Sequence, residues 1–329
     1  MRYFLSLSYD GTDFCGWQIQ PSSPSVQACL EEALSRLLGG PVPVTGAGRT
    51  DTGVHAFGYV AHFDWPQGSL PFEAPDFIYK LNAILPHSVA VFSVTPVPDD
   101  LHARFSAVRR EYTYFIHRRK DPFVRNYSWL CGYPSLDFAA MNEACRYLLG
   151  THDFSCFEKT GGDNKTSVCT VSEAFWKPYT PTHVQLMSEG GNAVPGACPP
   201  PEGLRGRCPR MTPAAFSPSK ILPDGKIPGT AGRRMAPITH ALGGAGAERS
   251  EAESPVGVLP SDYWYFRISA DRFLRNMVRA TVGSLIEVGR GKHRPEWIAE
   301  LIASGTRSDA GESVPGHALF LNRVDYPWR

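Results

Sequence analysis

Gly46-Ala47-Gly48-Arg49-Thr50-Asp51-Thr52-Gly53-Val54-His55-Ala56 is the stretch on which the reading of the chain turns. Two glycines precede Arg49, and a third follows two residues after Asp51. Glycine accepts positive φ and lets another backbone come close. A bend holding one arginine, one aspartate and two threonines suits presenting a carboxylate to a ligand better than filling a core. As a bare pattern it reads more readily as an ordinary turn in which the aspartate bonds its own backbone. The surrounding chain has to decide between the two.

Working outward, a short strand over residues 43–46 enters the bend and a second over 57–63 leaves it. Upstream, residues 2–9 alternate as a strand. A helix over 24–38 follows, with Ser23 as N-cap, Pro24 at the first helical position and Val26, Cys29, Leu30, Ala33, Leu34 and Leu37 on one face. Gly39 and Gly40 end it. Downstream come a helix over 75–85 and a strand over 89–97. Residues 1–102 therefore read as one α/β subdomain that presents Asp51 on a loop.

Residues 103–329 repeat the mixture. The chain alternates over 109–117 with Tyr112, Tyr114 and Ile116 on one face. A helix over 138–149 stops at Gly150, and strands are expected at 166–176, 182–187 and 263–270. A long helix over 273–288 stops at Gly289. A short helix over 296–303 and a strand over 319–326 close the chain. The two comparable units suggest a pseudo-repeat at the level of fold, without a repeat in sequence. Between the strands at 182–187 and 263–270, residues 191–250 hold ten glycines and ten prolines, with Phe216 as the one aromatic. Such a stretch cannot bury enough apolar area to offset its ordering entropy. An insertion over 188–258, mostly disordered, is expected. Residues 191–250 carry eight basic and three acidic residues, which leaves the rest of this formally +1 chain at −4. The insertion reads as a source of non-specific phosphate contacts or as a solvated loop with no role.

Composition narrows the class. The chain has 329 residues, 42% hydrophobic, enough for a sizeable core. No apolar run reaches the ~18 residues that a membrane span needs. Residues 1–10 alternate like a strand and lack signal-peptide anatomy. The eight cysteines include no C-x-x-C pair, which points to reduced thiols in the cytoplasm rather than a zinc site or a disulfide framework. The histidines are scattered, so no metal constellation emerges. No Walker loop, dinucleotide fingerprint or G-x-S-x-G elbow is present.

Two segments are basic and interleaved with aromatics: residues 104–120, with Arg104, Arg109 and Arg110, and a set comprising Arg267, Arg272, Arg275, Arg279 and residues 290–294. Arginine and lysine neutralise phosphates, and tyrosine and phenylalanine offer stacking faces to unpaired bases. Each segment alone also reads as a solvated charged face. Arg279 lies among Met277, Val278 and Val282, where a guanidinium needs an anion. It reads as a structural salt bridge, a snorkelling side chain, or the partner of an active carboxylate or phosphate.

Arg49-Thr50-Asp51-Thr52-Gly53-Val54-His55-Ala56 resembles the signature loop of the TruA family of tRNA pseudouridine synthases. The resemblance extends to residues 9–18, 102–107, 110–114, 150–154, 273–289 and 324–327, in the family's order. It implies an α+β fold of two ferredoxin- or RRM-like α/β subdomains in a pseudo-twofold arrangement, their antiparallel sheets joined and a cleft between them. It implies isomerisation of uridine to pseudouridine in the anticodon arm of tRNA, by a cytoplasmic homodimer with no metal or organic cofactor and no membrane. Asp51 takes the place of the catalytic aspartate. Tyr112 takes that of the tyrosine that stacks on the target base and helps proton transfer, and Arg279 that of the arginine paired with the aspartate. Arg49, Arg104 and Arg110 become substrate-binding residues. The chain departs from the family in its insertion, in Glu111 just before Tyr112, and in the net −4 of its remainder. An RNA-binding module without catalysis is the rival from another class, but Asp51, Tyr112 and Arg279 are all present. A ribosyl hydrolase would need a second placed acid or base, and none is evident near Asp51.

Overall fold

Alternating apolar residues make strands of residues 2–9 and 319–325, and both lie in one sheet. A computed structural model describes residues 1–159, 161, 166–189 and 262–327. All of them but Glu189 belong to one unit, Met1–Ser188 with Val258–Arg329. All but the first two residues of the insertion expected at 188–258 lie outside the described residues. The first half runs β1 (Arg2–Tyr9), α1 (Val26–Leu38), β2 (Thr45–Gly46), β3 (His55–Asp64), α2 (Ala74–Ile84) and β4 (Val89–Val97). The second runs β5 (Arg109–His117), β6 (Trp129–Leu130), α3 (Phe138–Cys145), β7 (Gly150–Asp153), β8 (Val168–Pro178), α4 (Thr182–Glu189), β9 (Tyr263–Ala270), α5 (Met277–Gly289), α6 (Trp297–Ser304) and β10 (Leu319–Asp325).

The strands make one ten-stranded sheet in the order β4-β1-β3-β10-β5-β9-β8-β7, with β2 on β3 and β6 on β5. Along the main path every pair is antiparallel except β3 with β10. That parallel seam is short: Phe320 opposite His55 and Leu321 opposite Ala56. The chain's last strand therefore lies inside the sheet, between β3 and β5. Both halves arrange their strands alike, β4-β1-β3-β2 and β10-β5-β9-β8, and β1 and β5 run in the same direction. The fold is thus mixed α/β with a large, mostly antiparallel open sheet, compatible with the α+β class.

Alternation assigns the two faces. Leu5, Leu7, Tyr59, Ala61, Tyr114, Ile116, Phe266 and Ile268 share one face and are buried with Leu30, Leu34, Phe77, Leu81, Met141, Val282 and Leu285 of the helices. The other face carries charge and aromatic rings. Phe57 stacks on Phe320 at 4.8 Å, and Phe115 meets Phe320 edge-on at 5.4 Å.

Some boundaries differ from expectation. The α1 cap is Ser25, which accepts from the Ala28 N–H, so Pro24 precedes the helix rather than opening it. The helix expected to run to 149 stops at Cys145 and tightens into a 3₁₀ turn over Arg146–Leu148. Residues 182–187 are helical in α4, not a strand: Val184 and Gln185 both donate to the Pro181 carbonyl, closing a helical turn. The long helix begins at Met277, four residues later than its apolar pattern suggests, because Asn276 sits at φ 66° and breaks helical geometry.

Candidate active site

The glycine-rich bend is a turn and a presented carboxylate together. Val54 N donates to the Asp51 carbonyl at 3.1 Å, and Gly53 between them has φ 75°. That conformation costs glycine little and other residues more. Asp51 projects from this turn into a cleft of about 1590 Å³.

Residues 9–18 wrap the turn and fix it. The Tyr9 hydroxyl and Thr50 Oγ1 lie 2.9 Å apart, Trp17 N donates to the Thr50 carbonyl, and Gly53 N donates to the Phe14 carbonyl. A Cβ on Gly16 would lie 2.2 Å from the Thr50 carbonyl oxygen, so glycine is required for this approach. The Tyr59 hydroxyl donates to the Gly48 carbonyl, while its ring stacks on Trp17 at 4.2 Å. Buried His55 accepts from the Gly11 N–H at Nδ1, which leaves its Nε2–H to donate to the His317 carbonyl at 2.9 Å. The loop, the N-terminal segment and the approach to β10 thus meet at one imidazole.

Arg279 comes from the other half. It stands third in α5, where its Nη1 lies 2.9 Å from Asp51 Oδ2 and its Nε donates to the Val314 carbonyl at 2.7 Å. The segment carrying Val314 is pressed onto α5 at Gly283, where a Cβ would lie 1.8 Å from the Glu312 carbonyl oxygen. Ser313 Oγ accepts from Asn276 Nδ2 at 2.6 Å and from Arg307 Nη2 at 2.7 Å, bracing the helix start. Two fixed contacts orient the guanidinium towards the Asp51 carboxylate.

Tyr112 lies on the helix-covered face of β5 and lines the same cleft, 9% exposed, with Phe273 edge-on at 5.1 Å. Burial pushes its phenol up to about 12, with Arg110 pulling down and Asp51 adding slightly to the rise. At neutral pH it carries its proton and can donate.

The other expected arginines separate. Arg49 and Arg104 are exposed on the cleft lining. Arg110 also borders the cleft, but its guanidinium donates to main-chain carbonyls: Ala47 at 3.1 Å, Arg104 at 2.6 Å and Asp271 at 2.8 Å. Arg272 and Arg275 line the cleft, whereas Arg267 and Arg109 lie on the opposite face of the sheet around Glu111. Residues 290–294 sit at the far end of α5, where Arg290 and Lys292 pair with Glu287. Glu111, a local loss of positive charge in the sequence, faces away from the cleft because strand neighbours point oppositely. Among the described residues the lining carries eight cations, namely Arg49, Arg104, Arg110, Lys159, Arg272, Arg275, Arg279 and Arg307, against Asp51 and Asp271. A local field of that sign attracts phosphates whatever the net charge of the chain. Sequence reasoning missed Lys159, Arg307 and the Val314 carbonyl. Only the glycines at 283 and 311 could have signalled how closely their segments meet. Among the described residues no three His, Cys, Asp or Glu side chains converge as a metal site, and no helix is long and apolar enough to cross a membrane.

A carboxylate paired with arginine lies in a cation-lined cleft beside a buried tyrosine, an arrangement whose field suits a polyanionic ligand. The family model described as tRNA pseudouridine synthase matches residues 6–106 and 144–327. The chain is 39% identical to tRNA pseudouridine synthase A of Parabacteroides distasonis, over 99% of this chain and 96% of that protein. It is 36% identical to the protein of the same name from Porphyromonas gingivalis, over 99% and 97%, and 35% identical to that of Nitratidesulfovibrio vulgaris, over 99% and 99%. The chain belongs to the tRNA pseudouridine synthase family, in its TruA branch, a family of isomerases acting on uridine in tRNA.

Proposed function

We propose that the protein converts uridine to pseudouridine in the anticodon stem-loop of tRNA, with Asp51 as the catalytic carboxylate. The observation that carries this reading is the 2.9 Å Asp51–Arg279 pair in a cleft where cations outnumber carboxylates eight to two. The reaction breaks the bond from ribose C1′ to N1 and joins C1′ to C5. The C5 proton leaves and N1 gains one, so nothing is oxidised or reduced. The target lies within RNA structure and has to be flipped out. Asp51 then adds to C1′ or to the base, or takes a ribose proton in an elimination. Covalent addition needs a placed carboxylate, and Arg279 holds this one at 2.9 Å.

Tyr112 stacks on the flipped uracil, worth about 1–3 kcal/mol towards the unstacking cost. Its protonated phenol donates to the base as C5 and N1 exchange places. Arg49 and Arg104 take backbone phosphates. Arg110, whose donors go to carbonyls, holds the loop and the cleft wall rather than the RNA. The cleft volume exceeds what one nucleoside needs and suits a nucleotide with its neighbours.

At larger scale, residues 1–102 and 103–329 act as two ferredoxin-like subdomains. Their shared strand order supports a repeated unit, which we take as the two members of a pseudo-twofold arrangement. The protein works in the cytoplasm as a homodimer. Among the described residues Phe57 on the outer sheet face is 59% exposed, which supports a second copy as its cover. Asp51→Asn keeps tRNA binding and abolishes pseudouridine formation, measured by tritium release from uridine-labelled tRNA. Near-normal turnover in that variant would sink the assignment.

A further inference from the structure

Phe105 is 75% exposed on the lining of the cleft that holds Asp51. An aromatic ring facing water gains nothing from folding, and a mobile loop would let it collapse onto the surface. This ring is instead held out. His102 Nδ1 accepts from the Arg104 and Phe105 N–H groups at 3.0 and 3.3 Å. Ser106 N donates to the His102 carbonyl, and His102 N donates to Ser106 Oγ, both at 3.0 Å. Burial, with the charges of Arg2 and Arg104, holds His102 below its ordinary pKa, so Nδ1 stays an acceptor at neutral pH. The His102 ring supports the Phe105 ring at 4.4 Å, and the Arg104 guanidinium lies 5.5 Å from its centre.

The same turn is tied to the Asp51 loop. Arg110 Nη2 donates both to the Arg104 carbonyl and to the Ala47 carbonyl, so the two turns meet at one nitrogen. A rigid, exposed aromatic face flanked by a cation, beside the loop that handles the target, is what an unpaired nucleobase requires.

We propose that Phe105 is a second stacking platform, receiving an unpaired RNA base next to the flipped uridine, with Arg104 on the adjoining phosphate. This rests on the assignment of an RNA substrate. It adds a contact that reads no sequence, since every base has a stacking face, and it holds the strand open while Tyr112 holds the target.

The test uses the full chain with an unmodified tRNA. Phe105→Leu and Phe105→Ala should lower kcat/KM by roughly 5- to 100-fold, the size of one base–aromatic stack, with unchanged melting temperature. Phe105→Tyr should retain activity near that of the parent. A leucine variant as active as the parent overturns the platform, because an apolar wedge then suffices. So does a loss that tracks a change in oligomeric state. In the Asp51→Asn background, Phe105→Trp supplies a fluorophore whose emission should fall on mixing with a single-stranded uridine-containing oligonucleotide. Binding without quenching also overturns it. That signal needs no turnover, so failure of the stacking proposal is separable from failure to find pseudouridine in the tRNA.

Discussion

Arg279 differs from a surface ion-pair arginine because two of its nitrogens are committed, Nη1 to Asp51 and Nε to the Val314 carbonyl. Lysine keeps the charge but cannot make both contacts. Arg279→Lys should therefore lower kcat/KM by roughly 10- to 100-fold, the loss of one charge-assisted bond of about 1.5–3 kcal/mol, read in single-turnover assays with the melting temperature as control. His62 sets a different response. Burial, with the charges of Arg2 and His102, lowers its pKa to about 4, and its Nδ1 accepts from the Ala103 N–H at 3.1 Å. Its folded pKa lies below the unfolded 6.5, so the unfolded chain binds the extra proton first. This contribution to stability is full above pH 6.5 and is lost as pH falls from 6.5 towards 4. His62→Asn, which keeps an acceptor, should flatten that part of a thermal-melt pH series. Placement at this scale was partly legible: Asp51, Tyr112 and Arg279 line one cleft. The direction of the Arg110 donors was not, because a sequence shows a cation without showing which way it points.

The contacts between elements decide whether the ion pair forms. Gly283 lets the segment before Val314 lie directly on α5. A Cβ there would strike a backbone oxygen that no rotamer change can move aside. Gly283→Ala should cost about 1–3 kcal/mol or more, which lowers Tm by several degrees on the scale of roughly 2–4 °C per kcal/mol. It should also reduce turnover, because Val314 no longer holds Arg279. Calorimetry and the tritium assay on one preparation check both. Element types were readable where periodicity was long: β1, β4, β5, β9 and α1 fall where alternation and the apolar stripe put them. The failures were local. Ser25 replaced Ser23 as cap because either serine suits the pattern. Residues 182–187 folded as a helix because six residues cannot distinguish the two periods. Asn276 delayed α5 through a positive φ that only glycine would have advertised.

At the scale of the molecule, the alternation of each strand was visible in sequence but the partner of each strand was not. Nothing in residues 319–326 says that they pair on one side with β5 and on the other with β3. The order β4-β1-β3-β10-β5 follows from the whole chain. Removing residues 317–329 should therefore do more than trim an end. It takes away an interior strand and the His317 carbonyl that holds His55, and should yield a protein without a cooperative thermal transition and without turnover, although Asp51, Tyr112 and Arg279 remain. A truncated protein that still melts cooperatively would count against this. The interior place of β10 also sets a clock on synthesis. Asp51, Tyr112 and Arg279 all leave the ribosome before the strand that brings their supports together. A nascent chain thus holds all three side chains before β10 can join β3 to β5, so the cleft is assembled only after its residues are made.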